Sequence, residues 1–321
     1  MFHALEASFE MKRREIFRLA LAIVLPMVPG IAKANSGKSS SELRYKVFTG
    51  IRAGRDVPPG NLPPDKESLK WMANSATLIY GEREAVLVDT FMTVEQCSNL
   101  ADLIVASGKS LKAIYVTHGH PDHFFGLQVL LDRFPNAKAL ATPEVVAKMA
   151  LQIKPEILAS RRKQFPGLPD IIPIASPLEG DEIDLEGNRL IVVRVGHTDT
   201  DDTTCLHIPS IGLVVAGDVV YNGIHLFLGE SNRQSRMQWI AALDKIDALK
   251  PEAVVAGHKI PGNDDNPRNV EETRQYIRDF IRLNDTTKTT RELFENMLAL
   301  YPDRVNPGSL WSSATAAKAQ P

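Results

Sequence analysis

The chain has 321 residues, 44% hydrophobic and 24% charged, with a formal net charge of -2 at pH 7. That length buries a sizeable core in one large or two modest α/β domains, while the near-neutral balance supplies neither a basic face for nucleic acid nor a cationic patch for a membrane surface. Two cysteines, Cys97 and Cys205, are too few for a disulfide framework and read as buried thiols in apolar segments.

Lys12-Arg13-Arg14 and Arg18 precede an apolar run from Leu19 to Val28, broken only by Pro26, and Ala32-Lys33-Ala34 follows. This is the layout of a secretory signal peptide over residues 1–34, with Met11 as an alternative start. The apolar run is shorter than the ~20 residues a membrane span needs, so no stable membrane insertion is expected after cleavage. Arg13-Arg14 followed by Phe17 suggests twin-arginine export, with the Sec route as alternative. The expected location is the periplasm or outside the cell. Residues 35–42 form a Ser-rich linker, 43–301 the expected folded domain, and the Pro/Ser/Ala-rich tail 302–321 is expected to be peripheral.

Tyr45 to Ile51 and Ala76 to Tyr80 read as strands around a Pro/Gly-rich loop, and Ala85 to Asp89 as a buried strand ending in a carboxylate. Val94 to Ser107 has helical periodicity stopped by Gly108. A strand over 113–117 follows, then a helix over 126–134, a short strand over 139–142 and a helix opened by Pro143. The second half repeats this grammar: a hairpin of 182–185 and 189–195 around Glu186-Gly187-Asn188, a second of 203–208 and 212–216, a helix over 235–249, a strand over 253–256, and helices over 270–283 and 291–300. Two β-then-α halves predict an α/β protein with two sheets packed face to face and helices outside.

Thr117-His118-Gly119-His120-Pro121-Asp122-His123 packs three imidazoles and a carboxylate into six residues just after an apolar strand, where α/β sheets hold their sites. Elsewhere His197, Asp218 and His258 each follow a glycine at the end of a predicted strand. One tetrahedral zinc takes four ligands; His118, His120, Asp122, His123, His197, Asp218 and His258 are enough for two ions with a bridging carboxylate. The i, i+2 spacing sends His118 and His120 to one side of an extended segment, leaving Asp122 and His123 to turn toward a second ion. Imidazole and carboxylate without thiolate favour two Zn²⁺, with iron or manganese as alternatives.

These residues resemble the signature of the metallo-β-lactamase superfamily, H-x-H-x-D-H followed by a distant His, Asp and His, and the resemblance spans about residues 43–285. It implies the αβ/βα four-layer sandwich of that fold. It also implies that His118, His120 and His197 hold a first metal, that Asp122, His123 and His258 hold a second, and that Asp218 bridges them. Asp89 matches a strand-end aspartate that orients the ligand loop, although capping the strand end is an equally good reading. The chemistry implied is metal-assisted hydrolysis, with Asp122 orienting the nucleophile or passing a proton.

Asp218 stands where β-lactam-cleaving members have Cys or Ser, and Tyr221 where one large subclass has Lys, so β-lactam hydrolysis is disfavoured. The Asp bridge resembles glyoxalase II, lactonases, organophosphate hydrolases and RNase Z, but no basic glutathione grip is evident over 259–300 and no basic face for tRNA. A small-molecule ester, lactone or thioester is the expected substrate, with lactone weakly preferred because Asp218-x-x-Tyr221 resembles lactonases in which this Tyr meets the substrate carbonyl. A packed aromatic is the alternative for Tyr221. A persulfide-dioxygenase-like enzyme with one iron is the competing activity, and the full ligand set argues against a non-catalytic scaffold. His225 is a candidate substrate contact, with a surface or loop position as the preferred reading, and His207 is expected as a structural histidine. Met149, Leu151 and Ile153, and Trp71 with Met72, are candidates for the cleft rim. A homodimer is compatible with the sequence.

Overall fold

The computed structural model describes residues 41–50, 62–64 and 73–319. The signal-peptide reading, most of the linker, and Trp71 and Met72 lie outside the described residues. Among the described residues no helix is long and apolar enough to cross a membrane.

Among the described residues, eleven strands and nine α-helices follow in the order β1 (Arg44–Gly50), β2 (Asn74–Tyr80), β3 (Glu84–Val88), α1 (Val94–Ala106), β4 (Ser110–Tyr115), α2 (Pro121–Phe124), α3 (Leu127–Arg133), β5 (Lys138–Ala141), α4 (Pro143–Gln152), α5 (Pro155–Gln164) and β6 (Ser176–Pro177). The second half continues with β7 (Glu182–Leu185), β8 (Asn188–Gly196), β9 (Thr203–Ile208), β10 (Leu213–Asn222), α6 (Arg233–Ala248), β11 (Ala253–Lys259), α7 (Arg268–Thr286), α8 (Thr290–Leu300) and α9 (Pro307–Ala319). The helix starts follow local chemistry. Thr93 and Thr142 cap α1 and α4, and Asn232–Ser235 and Thr289–Glu292 form reciprocal capping boxes on α6 and α8.

The strands form one continuous mixed sheet in the order β6-β5-β4-β3-β2-β11-β10-β9-β8-β7, with β1 paired to β2. The sheet folds over on itself, and strand alternation shows how. In β3, Ala85 and Leu87 pack in one apolar cluster with α1 and α3, while Val86 and Val88 pack in another with Ile183, Leu185, Leu190 and Val192 of β7 and β8. In β10, Leu213 and Val215 join that same inner cluster, while Val214 and Ala216 face Trp239, Leu243 and Ile246 of α6. Three apolar interfaces stacked in this way make a helix–sheet–sheet–helix sandwich, as the sequence predicts. The two sheet halves meet where β11 pairs β2 through His258 and Asn74.

Two expectations change. The segment after residue 301 is not peripheral: α9 places Leu310, Ala314 and Ala317 in the core beside Phe294 and Met297. Its small and apolar residues lack a strong amphipathic stripe, so periodicity conceals that it is packed. The helix that Pro143 opens ends at Gln152, and Pro155 starts a second, unanticipated one after Lys154.

The β7–β8 hairpin turns on Glu186 and Gly187, both with positive φ (50° and 82°). The Glu186 carboxylate reaches across to the β2–β3 turn and accepts from the backbone N–H of Glu82, Arg83 and Glu84 at 2.9, 2.6 and 2.6 Å. Gly81 makes this approach feasible, since a Cβ there would lie 2.5 Å from Glu186 Oε2. The Ser41 hydroxyl beside it and these amides hold the carboxyl down at about 2. Charge-assisted hydrogen bonds of this kind, discounted for exposure, contribute about 1 kcal/mol. Because the folded-state pKa is depressed, that stability is present above about pH 4.5 and is lost as pH falls toward about 2. Glu186→Ala is therefore expected to lower the melting temperature by about 2–4 °C at pH 7, with a gap to wild type that narrows steadily in thermal melts taken from pH 5 down to pH 3.

Candidate metal centre

The ligand loop leaves β4 and is fixed by Asp89 at the end of β3. Asp89 adopts a left-handed conformation (φ 61°) and is almost fully buried. Its Oδ1 accepts from the Thr117 backbone N–H at 2.8 Å and its Oδ2 from the Thr117 hydroxyl at 2.8 Å, with His123 Nδ1 also 2.9 Å from Oδ2. His118 and His120 lie on the extended segment that follows. Pro121 then opens α2, whose single turn carries Asp122 and His123. Asn74 Nδ2 holds this turn by donating to the Asp122 carbonyl at 2.8 Å.

The strand-end glycines have physical reasons. Gly217 (φ 53°) sits at a register irregularity of β10, and a Cβ there would lie 2.6 Å from Thr117 Oγ1. At Gly257 a Cβ would lie 2.2 Å from Asp218 Oδ1. Asp218 and His258 lie inside β10 and β11 rather than beyond their ends, as the sequence suggests, and the irregularity between Val215 and Tyr221 marks where β10 leaves regular pairing beside the centre.

Each imidazole has one nitrogen engaged outward. The Thr117 hydroxyl gives its proton to Asp89, so His118 Nδ1, 3.0 Å away, is the donor to it and Nε2 is left unprotonated. His123 Nδ1 faces Asp89, His258 Nδ1 lies 3.1 Å from the Ala73 carbonyl, His197 Nδ1 lies 2.7 Å from Asp201, and His120 Nε2 lies 3.2 Å from Glu230 Oε1. The opposite nitrogens of four of these rings converge on buried carboxylates. His120 Nδ1 is 2.7 Å and His118 Nε2 3.5 Å from Asp199 Oδ2. His123 Nε2 is 3.2 Å from Asp218 Oδ1 and His258 Nε2 3.0 Å from Asp218 Oδ2, with Asp122 Oδ2 3.6 Å from His258 Nε2.

His118 Nε2, His123 Nε2, His197 Nε2, Asp199 Oδ2 and Asp218 Oδ1 are buried with no hydrogen-bond partner. Buried polar atoms are almost always satisfied. Orphaned lone pairs facing one another are satisfied by divalent cations, which these residues therefore fit. Their donor atoms fall into two groups, one of His118, His120, Asp199 and Asp218, the other of Asp122, His123 and His258.

The charges fit the same picture. Burial opposes charge on His120, but Asp199 and then Glu230 outweigh it and hold its pKa well above the imidazole range. Burial likewise opposes charge on His123, where Asp218 and Asp89 prevail. Burial and the neighbouring His123 push His118 down. Burial works against the Asp218 charge, yet His258 and His123 hold its carboxyl well below the usual carboxylate range.

Tyr221 is fully buried. Its hydroxyl donates to Asp218 Oδ2 at 2.8 Å and its ring stacks on His258 at 5.3 Å between centroids. It therefore orients the carboxylate. His225 lies in the loop after β10, as the loop reading has it, but it is fully buried rather than at the surface: its Nδ1 lies 3.0 Å from the Tyr276 hydroxyl, and burial together with Arg304 pushes its pKa to about 3. Its neighbours Ile224 and Leu226 carry the apolar signal that locates it in the core. His207 is a half-buried strand residue, as expected. Met149 packs in the core, whereas Leu151 is exposed.

The sequence reading missed two groups. Asp199 lies in the run His197-Thr198-Asp199-Thr200-Asp201-Asp202, where three carboxylates compete and spacing selects none. Glu230 lies in a loop before α6, and its Oε2 also accepts from the Thr200 hydroxyl at 2.8 Å. His197, although its Nε2 is buried, falls outside both donor groups.

Replacing Asp89 by Asn removes a charge that orients His123 and the Thr117 turn. About a 10- to 100-fold loss of metal affinity is expected, measured by competition with a chromophoric chelator.

A family model described as the metallo-beta-lactamase superfamily matches residues 69–258, more than half of the chain. Two relatives named hydroxyacylglutathione hydrolase match short stretches. The protein from Prochlorococcus marinus is 25% identical over 36% of this chain and 37% of its own length, and that from Francisella tularensis subsp. novicida is 31% identical over 23% and 30%. The chain thus spans about a third of these relatives. Among solved structures, the metallo-beta-lactamase FIM-1 from Pseudomonas aeruginosa, in its mono-zinc form, superposes with a TM-score of 0.52 at 15% identity, covering 76% of this chain and 98% of that one. At that identity the likeness speaks to the fold.

Proposed function

The chain belongs to the metallo-beta-lactamase superfamily, and we propose that it is a metal-dependent hydrolase that uses two divalent metals, zinc foremost, to cleave a small-molecule ester, lactone or thioester. The observation that carries the reading is Asp218, a buried carboxylate whose two oxygens face His123 and His258 while Oδ2 also lies 3.9 Å from His118. A carboxylate so placed can serve both donor groups at once.

When bound, the metals supply Lewis acidity and a water acidified toward neutrality. The chain's own residues hold the geometry. Asp89 fixes His123 and the Thr117 turn, Tyr221 fixes Asp218, and Glu230 fixes His120. Asp122 lies at the edge of the centre with its side chain slightly open to solvent. From there it can take a proton from the attacking water and return one to the departing alkoxide or thiolate. The thioester option draws support from the relatives' name. The lactone option rests on the Asp218-x-x-Tyr221 spacing, in which the Tyr221 hydroxyl donates to Asp218. The Asp218 and Tyr221 positions still disfavour β-lactams. Export through residues 1–34 forms part of the proposal and is testable by fusing them to a reporter that is active only outside the cytoplasm.

Two outcomes are expected. On metal-quantified protein, a panel of lactones, thioesters, esters, β-lactams and phosphotriesters should show chelator-sensitive turnover of carbonyl esters or thioesters, restored by zinc. One iron per chain with oxygen uptake on persulfides would sink this reading. Asp218→Ala should lower metal content from about two to about one per chain and reduce kcat/KM by about 10³-fold or more, whereas unchanged metal content would remove the bridging role.

A further inference from the structure

We propose that Arg161 of α5 is an anion-recognition residue at the mouth of the metal centre, and that the ester or thioester cleaved there carries a carboxylate beyond its scissile carbonyl. This rests on the hydrolase reading above and narrows its substrate class.

The path from the ligand loop to Arg161 is short. Gly119 lies so close to α4 that a Cβ there would be 2.5 Å from Lys148 Cβ. Gln152 follows one turn later on the same face of α4, and its side-chain oxygen accepts from Arg161 Nη2. No residue of α5 is fully buried, yet Arg161 is half-buried. Burial pushes its pKa down, and the carboxylates that pull it back up are Asp122 and Glu230. Among the acids of the centre these are the two at its open edge, Asp122 slightly and Glu230 substantially exposed, whereas Asp199 and Asp218 lie inside. The guanidinium therefore belongs to the rim of the centre.

Its bonding is incomplete. Gln152 is neutral, and among the described residues no carboxylate comes within ion-pair distance of Arg161. Nε is buried with no partner, and Nη1, which makes no hydrogen bond, is the open end of the fork. Charges taken out of water are normally paired. The acids that act on Arg161 are engaged elsewhere: Glu230 by His120 at 3.2 Å and Thr200 at 2.8 Å, Asp122 in the centre beside His258 at 3.6 Å. Lys148, the other cation of this wall, is closed by Asp201 and Asp202 at 3.1 and 3.8 Å. Arg304, also taken out of water, is spent on the Ile224 carbonyl and the rings of Tyr276 and Tyr301. A clamp between α4 and α5 would use one donor of Arg161 and none of its charge. A planar fork with donors to spare, beside a hydrolytic centre, matches a carboxylate on the substrate. The Phe227 ring, 5.9 Å from that of His120 between centroids, offers apolar surface for the carbon chain joining the two groups.

The test is calorimetric titration of the zinc-loaded full chain with matched acids: butyrate, pentanoate and hexanoate against succinate, glutarate and adipate. Either kind can place a carboxylate at the metals, so the members of each pair differ only at the far end. Wild type is expected to bind at least one dicarboxylate about 10- to 100-fold more tightly than its matched monocarboxylate, the worth of a charge-assisted hydrogen-bonded pair. Arg161→Met, which keeps the apolar stem, should abolish that preference, and Arg161→Lys, which keeps the charge without the fork, should restore part of it. Circular dichroism and metal analysis control for folding and loading. With esters and thioesters, Arg161→Met should raise KM for members bearing a distal carboxylate much more than it lowers kcat. Equal binding within every pair by wild type, or a preference that survives in Arg161→Met, overturns the proposal, and the wild-type comparison decides even where a variant fails to fold. Loss of the dicarboxylate preference with chelator-sensitive turnover intact would leave the hydrolase reading standing. A clear preference with no turnover of any ester or thioester would sink the hydrolase reading and keep Arg161 as an anion site.

Discussion

The centre hangs on one buried carboxylate. Asp89 ends β3 in a left-handed turn that extended β-residues rarely adopt. Its backbone N–H donates to the Tyr115 carbonyl at 2.8 Å, continuing the pairing of β3 with β4 past the last regular residue. Its two oxygens then take the amide and hydroxyl of Thr117 and face the outer nitrogen of His123. A buried charge without partners would cost several kcal/mol; here every partner belongs to the ligand loop. The requirement to satisfy Asp89 therefore fixes the path of residues 117–123. Through Thr117 it sets the protonation pattern of His118, and through His123 it aims a second ligand.

The same dependence extends across the seam of the sheet. β2 and β11 pair at His258 and Asn74, and side-chain hydrogen bonds reinforce the seam. Asn74 donates to the carbonyls of Thr90 and Asp122, and the Ser75 hydroxyl to the Ala256 carbonyl at 2.6 Å. Side chains of β2 thus fasten the ligand turn of one half to the ligand strand of the other. Closing the sandwich and assembling the donor groups are one event, and the inner apolar cluster that closes it draws on both halves. Metal binding should accordingly stabilise the fold by linkage, since the unfolded chain has no such convergence.

The polar groups are arranged in shells of decreasing burial. Lone pairs face inward at the centre. A ring of hydroxyls, amides and carboxylates (Thr117, Asp89, Tyr221, Thr198, the Ala73 carbonyl) holds the ligands. Glu230 and Asp201 close the rim, and Lys148 bridges to Asp201 at 3.1 Å. Under the proposed hydrolysis a substrate would approach from this rim, and substrate choice would then belong to the loops that carry it.

Much of this was legible in residue order. Alternating and continuous apolar runs specify the strands, capping residues mark the starts of α1, α4, α6 and α8, and the rarity of clustered imidazoles singles out residues 118–123. Glycine before Asp218 and His258 is legible too, because a Cβ there would collide with Thr117 or Asp218. What residue order left open was decided by approach in three dimensions. It could not choose Asp199 among three nearby carboxylates, since only folding brings one of them against His118 and His120. It left Tyr221 between a substrate contact and a packed aromatic; the fold stacks it on His258 with its hydroxyl donating to Asp218. It left α9 outside the core, because a helix of small residues shows no stripe until a cavity of matching shape exists to receive it. Local pattern determines elements and donor chemistry; which lone pairs end up facing one another depends on how the two sheet halves close, and no stretch of sequence contains both sides of that contact.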